Sequence, residues 1–152
     1  MDKFDKIESF KVDHTKIVPG IYISRTDGDI TTFDLRVKKP NAGDYIDNIT
    51  MHSVEHMFAT YIRNSEIADR VIYFGPMGCQ TGFYLLTRGV STDDVFTHTL
   101  RVLEKITAHD GEMFGADETE CGNYKNLSVE SAKELCAAYL KALEGSPRDF
   151  KY

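Results

Sequence analysis

The chain has 152 residues, 41% of them hydrophobic, with 18 Lys and Arg against 24 Asp and Glu for a formal net charge of −6. At about 150 residues per domain this is expected to be one unit, residues 1–152, around one core. The acidic balance lacks the phosphate-neutralising footprint of nucleic-acid binding, no stretch reaches the ~20 apolar residues of a membrane span, and Met1-Asp2-Lys3-Phe4-Asp5-Lys6 is too charged for a signal-peptide core, so a cytoplasmic location is expected.

Gly, Pro and Asn/Asp punctuation divides the chain into elements. Ile21 to Arg25 and Ile30 to Val37 read as a hairpin around Asp27-Gly28. A two-residue loop would set Ile21 and Ile23 against Asp34 and Thr32. A three-residue loop, Thr26-Asp27-Gly28 with a glycine bulge, sets Ile21 against Phe33 on one face and is the expectation. A helix follows over about Asn48 to Asn64. At about 100° per residue, Val54, Met57, Phe58, Tyr61 and Ile62 form its core stripe, while His52, His56, Ala59 and Arg63 fall nearly opposite. Val71 to Phe74 and Thr81 to Thr87 read as strands of an antiparallel sheet, joined through Gly75-Pro76-Met77-Gly78-Cys79. Ser91, with Asp94 three residues on, opens a second helix carrying Val95, Thr99, Val102, Leu103 and Ile106. Ser128 caps a third, whose apolar positions Ala132, Leu135, Cys136, Tyr139, Leu140 and Leu143 run to a stop at Gly145 and Pro147. Four strands and three main helices result, with Cys136 as a core thiol.

His52-Ser53-Val54-Glu55-His56 is an H-x-x-E-H motif. Imidazoles at i and i+4 on one helical face can share a metal, and Glu55, about 60° round from His52, can carry protons beside it. The bland alternative is two solvated histidines next to a glutamate. A catalytic metal needs a third protein donor and an open position. Three Cys is an odd count, widely spaced, which argues against a disulfide framework. Cys121, in the polar run Thr119-Glu120-Cys121-Gly122-Asn123, has no apolar neighbours to pack with and is a candidate thiolate ligand; an ordinary loop thiol is the alternative. Cys79 lies between Gly78 and the nearby Gly82, which permit unusual backbone angles and close approach of a ligand, the setting of a reactive thiol. A bend that merely joins two strands is the competing reading. Arg36 and Arg63 are fork-shaped donors for an anionic or hydroxyl-rich ligand, and spacing leaves His14 open between substrate contact and surface residue. His98 and His109 are read as structural and without partners.

Together these residues resemble the S-ribosylhomocysteine lyase (LuxS) family. The likeness rests on Ser9-Phe10 with Asp13-His14-Thr15, Phe33-Asp34-Leu35-Arg36, Pro40-Asn41, the H-x-x-E-H run, Pro76-Met77-Gly78-Cys79-Gln80-Thr81-Gly82, Cys121-Gly122-Asn123-Tyr124 and Ala132-Lys133-Glu134-Leu135, in order from about Ser9 to Leu140. It implies an α+β fold with an antiparallel sheet, and a homodimer with both active sites at the subunit interface. It implies that His52, His56 and Cys121 hold Fe2+, replaceable by Zn2+ or Co2+, and that Glu55 and Cys79 are the acid/base pair. Ser9, His14 and Arg36 would meet the ribose, Arg63 would lie near the homocysteine end, and Ser9 and His14 would serve the partner's metal. The implied reaction is metal-assisted carbonyl migration along the sugar, then β-elimination to homocysteine and 4,5-dihydroxy-2,3-pentanedione, the precursor of autoinducer-2 in quorum sensing. Tyr73 stands where the family often has an acidic residue, and Val37 where it often has Cys.

Two other readings compete. H-x-x-E-H also marks inverzincin metallopeptidases, whose third ligand is a distant Glu; Glu130 or Glu134 would have to serve, and Cys79 and Cys121 would have no task. A non-catalytic dimeric module would close its metal with four protein ligands.

Overall fold

The computed structural model describes residues 3–152. In chain order it contains α1 (Glu8–Lys11), β1 (Gly20–Asp27), β2 (Ile30–Arg36), α2 (Asn48–Ile62), a 3-10 turn (Ala68–Arg70), β3 (Val71–Pro76), β4 (Gly82–Arg88), α3 (Thr92–Thr107) and α4 (Val129–Glu144). The strands form one sheet in the order β1-β2-β4-β3, with every pair antiparallel. The fold is α+β, and its three long helices match the expected ones. The one-turn α1 was not anticipated; four residues leave no periodicity to read.

Each long helix starts on an oxygen that takes an orphan backbone N–H. Asp47 accepts from Thr50 N at 2.8 Å, Ser91 from Asp94 N at 3.2 Å and Ser128 from Ser131 N at 3.2 Å. The backbone hydrogen bond from Thr50 holds the Asp47 carboxyl below the usual carboxylate range.

Alternation along the strands sends Ile21, Phe33, Leu35, Phe83 and Leu85 to one side of the sheet. There they meet Val54, Met57, Phe58 and Ile62 of α2, and Leu103 and Ile106 of α3, in one buried cluster. Cys136 joins that cluster, and burial pushes its thiol up to about 12. Tyr61, placed in the α2 core stripe, is half-buried instead, because its hydroxyl is drawn out to His109 Nδ1 at 2.7 Å.

The first hairpin departs from expectation. Asp27 pairs with Ile30, so the loop is Gly28-Asp29, and Gly28 takes the positive φ of 63° that the first position of a tight II′ turn requires. Ile21 faces Leu35 and Ile23 faces Phe33, two residues from the expected register. The extra residue sits in the strand: a bulge between Ile23 and Arg25 restores apolar pairing that a two-residue loop alone would have broken.

Beyond α4 the chain returns to the edge strand β1. Phe150 takes a left-handed φ of 58° and its carbonyl oxygen accepts from Ile23 N at 2.9 Å, while its ring packs in the core against Phe33 and Phe96. Two residues on, Tyr152 stacks on Tyr22, whose ring belongs to the opposite side of the strand from Ile21. The segment thus wraps the β1 edge.

Candidate active site

On the face of α2 turned from the core, His52 and His56 stand one turn apart with ring centroids separated by 4.7 Å. Cys121 arrives from the loop before α4 and places Sγ at 3.4 Å from His52 Nε2. One donor atom from each of the three lies within 4.8 Å of the others, so this triad could hold a metal ion. Tetrahedral coordination with M–S of about 2.3 Å and M–N of about 2.0–2.1 Å separates sulfur from nitrogen by about 3.6 Å, close to the observed spacing. Both imidazoles are pre-oriented. His52 Nδ1 donates to Asn126 O at 2.9 Å and His56 Nδ1 to Phe114 O at 2.8 Å, which fixes the tautomer that leaves each Nε2 lone pair free. Asn123 N donates to Cys121 Sγ at 3.4 Å, support suited to a thiolate.

The loop that delivers these groups is locally determined. Asp117 Oδ1 accepts from Thr119 N and Glu120 N, and Asp117 O accepts from Cys121 N, a turn that lifts Cys121 toward α2. Gly115 has φ 62°, a conformation L side chains rarely adopt, and a Cβ there would come within 3.4 Å of His56 Nδ1. Glycine therefore lets the Phe114 carbonyl face the ring. His109 is not without partners, contrary to expectation: besides Tyr61 it donates from Nε2 to Glu112 O at 2.9 Å, and its carbonyl receives Lys133 Nζ at 2.8 Å, which pins the start of this loop. His98 is buried on α3.

Beside the triad, Glu55, His56, Tyr73, Phe114 and Glu120 line an open cavity of about 580 Å³. Glu130 and Glu134 are not among the grouped donors, whose third member is the Cys121 sulfur.

A second cavity, of about 440 Å³, brings together Ser9, His14, Arg36, Cys79 and Tyr84. Cys79 is exposed, and its sulfur lies 3.0 Å from Thr81 Oγ1. Arg36, 3% exposed, places Nη1 at 2.8 Å from Thr81 Oγ1 and 3.9 Å from Cys79 Sγ, while Nε and Nη2 engage the buried Asp34 carboxylate. Burial opposes the Arg36 charge, but the hydrogen bond and charge of Asp34 outweigh it and hold the guanidinium above its ordinary value. His14 is oriented through Nδ1 by Val12 O at 2.9 Å.

The left-handed backbone expected at the glycines of this bend falls on Gln80 instead, with φ 63°. Ile46 N donates to Gln80 O, and Gln80 Nε2 to Ile46 O, which clamp it. Gly82 serves close approach to β2 rather than to a ligand, since a Cβ there would meet Leu35 O at 2.5 Å. Arg63 lines neither cavity; it donates to the carbonyls of Val71 and Ile72 at 3.4 and 3.1 Å. Tyr73 lies over Gly75, where any Cβ would overlap its hydroxyl. Sequence reasoning missed Thr81 and Asp34 as supports of Arg36, although Asp34 and Arg36 at i and i+2 of a strand must share a face.

A family model described as S-ribosylhomocysteinase (LuxS) matches residues 7–149. A Finegoldia magna S-ribosylhomocysteine lyase is 40% identical over 150 residues, covering 95% of this chain and 96% of its own. The lyase of the same name from Borreliella afzelii is 42% identical over 144 residues, 91% of this chain and 92% of that one. The Desulfotalea psychrophila protein is 43% identical over 141 residues, 89% of each.

Proposed function

The chain belongs to the S-ribosylhomocysteinase (LuxS) family, and on that footing we propose that it is a carbon–sulfur lyase that cleaves S-ribosylhomocysteine to homocysteine and 4,5-dihydroxy-2,3-pentanedione, the autoinducer-2 precursor. The observation that carries the reading is the match over residues 7–149 together with two histidines and a cysteine whose donor atoms gather within 4.8 Å beside an open cavity. Residues 1–152 act as one lyase domain.

The thioether bond breaks readily only when sulfur is β to a carbonyl, so the sugar carbonyl must first move along the chain by proton transfers. A divalent ion held by His52, His56 and Cys121 would supply Lewis-acid stabilisation of the negative charge that builds on the sugar oxygens. One thiolate and two neutral imidazoles suit Fe2+, with Zn2+ or Co2+ as substitutes. Glu55 and Cys79 move the protons, Glu55 from the α2 face beside the triad and Cys79 from the end of the second cavity. Arg36 turns Nη1, which also donates to Thr81 Oγ1, toward the Cys79 sulfur and so sets a cation beside it. Ser9 and His14 hold the ribose hydroxyls, and Arg63 guides the amino-acid end.

We further assign a homodimer with shared active sites. In support, the groups called on for proton transfer line two separate cavities of one chain, and Ile7, Phe10 and Tyr73 are exposed apolar side chains near them. A reducing cytoplasm suits three free cysteines and a ferrous ion.

The test is release of new thiol from S-ribosylhomocysteine by the metal-loaded protein, with a peptide as control substrate. Thiol release with the peptide untouched is expected; peptide cleavage without thiol release would favour the metallopeptidase.

A further inference from the structure

Asp34 and Arg36 belong to the outer face of the sheet, yet they are only 1% and 3% exposed. A buried ion pair recovers its desolvation cost only when the remaining lone pairs and donors are filled. The C-terminal segment does part of the filling. Tyr152 donates its hydroxyl to Asp34 Oδ2 at 2.6 Å, the oxygen that also receives Arg36 Nη2, while its ring stacks on Tyr22 with centroids 4.9 Å apart. Phe150 anchors this arrangement by entering the core in a left-handed conformation that non-glycine residues rarely adopt. On the other side of the pair, Arg36 Nη1 is directed at Thr81 Oγ1 and Cys79 Sγ. An unbroken line of polar contacts thus joins Tyr152 to Cys79 through Asp34 and Arg36.

We infer that Tyr152 is a positioning residue for Cys79: by donating to Asp34 it offsets carboxylate charge that would otherwise compete for the guanidinium, and so holds Arg36 Nη1 toward the sulfur as well as toward Thr81 Oγ1. The inference rests on the lyase reading, in which Cys79 alternates between thiol and thiolate. Burial first, then the charge of Asp34, push the Tyr152 hydroxyl up, so it keeps its proton and stays a donor. The other ionisable groups around this line are Tyr22 on β1, Tyr84 on β4, His14 across the cavity, Tyr139 on α4, and Asp13, Lys16, Asp149 and Lys151 beside the Tyr152 ring.

Tyr152→Phe keeps the ring and its stack and removes only the hydroxyl. Tyr22→Phe is the control: it removes the hydroxyl that donates to Val18 O from the other ring of the same stack. Metal-loaded wild type and both variants are treated with iodoacetamide from about pH 5 to about pH 9. Alkylation of the Cys79 peptide is followed by mass spectrometry, and kcat and KM for homocysteine release are measured in parallel. Tyr152→Phe should alkylate at Cys79 about three- to tenfold more slowly near neutral pH, with its acid limb moved to higher pH. Its kcat should fall by a similar factor at unchanged KM and metal content, while Tyr22→Phe follows the wild type. Identical alkylation profiles for Tyr152→Phe and wild type overturn the inference, and so does an equal loss in both variants, which marks a structural anchor only. Alkylation needs no substrate, so a wild type that releases no homocysteine defeats the lyase reading while the alkylation comparison still decides this one.

Discussion

Replacing Arg36 by Met keeps most of the aliphatic bulk and removes the cation from a pair whose side chains are 3% and 1% exposed. Breaking a buried pair from one side costs about 3–5 kcal/mol, because the remaining charge stays desolvated without its counterion. The lower end applies here, since Tyr152 still donates to Asp34 Oδ2. At about 2–4 °C per kcal/mol for a chain of this length, the melting temperature should fall by about 10 °C. Adding Asp34→Asn removes the stranded charge and should recover more than half of that loss, since deleting both partners of a buried pair is often near neutral. Thermal melts of the two variants at constant metal loading measure this. An Arg36→Met protein melting within about 2 °C of wild type, or a double variant no better than the single one, refutes the reasoning.

Cys79→Ala should retain metal and lose turnover, whereas His56→Ala should lose both; metal content beside thiol release separates the two. Gly115→Ala forces a Cβ into a φ of 62° next to His56 and should displace the Phe114 carbonyl from the ring, lowering metal affinity about 10- to 100-fold in a competitive chelator titration. Cys136, pushed to about 12 by burial, holds its proton in the native state where an unfolded thiol has lost it. The native protein therefore binds more protons, and stability should fall by up to about 1.4 kcal/mol per pH unit as pH rises from about 9 toward about 12. Denaturant melts of wild type should fall more steeply from about pH 9 than those of Cys136→Ala, which keeps only the same-signed slope of the buried tyrosines whose hydroxyls are also pushed up.

What could be read from sequence was local. The α2 faces, the Ser91 and Ser128 caps and the i, i+4 histidines follow from helical geometry and neighbours within a few residues. Tertiary partners left weaker traces. The carbonyls of Phe114 and Asn126 orient both imidazoles, but a backbone oxygen has no residue type to reveal it. The hairpin register turned on a bulge at Ser24, where no glycine or proline marks the irregularity. Phe150 and Gln80 take left-handed angles at residues that composition gives no reason to suspect. Tyr152 and Asp34 are 118 positions apart, and nothing in the tail's pattern announces that it wraps a strand edge.

Proton carriers act within about 2.6–3.2 Å of the proton they move, yet Glu55 and Cys79, the proposed carriers, line different cavities of one chain. If a second copy supplies the missing half, each site takes Glu55 from one protomer and Cys79 from its partner. Glu55→Gln and Cys79→Ala homodimers are then both inactive, but mixing them recovers activity. A mixed dimer carries one site with both groups intact and one with neither. Random exchange at equal concentrations makes half of all dimers mixed, so about a quarter of wild-type activity should return. Were Glu55 and Cys79 to serve the same site from the same chain, every site in the mixture would carry one defect. No recovery after demonstrated subunit exchange therefore rejects the shared site, and a return near one quarter requires it.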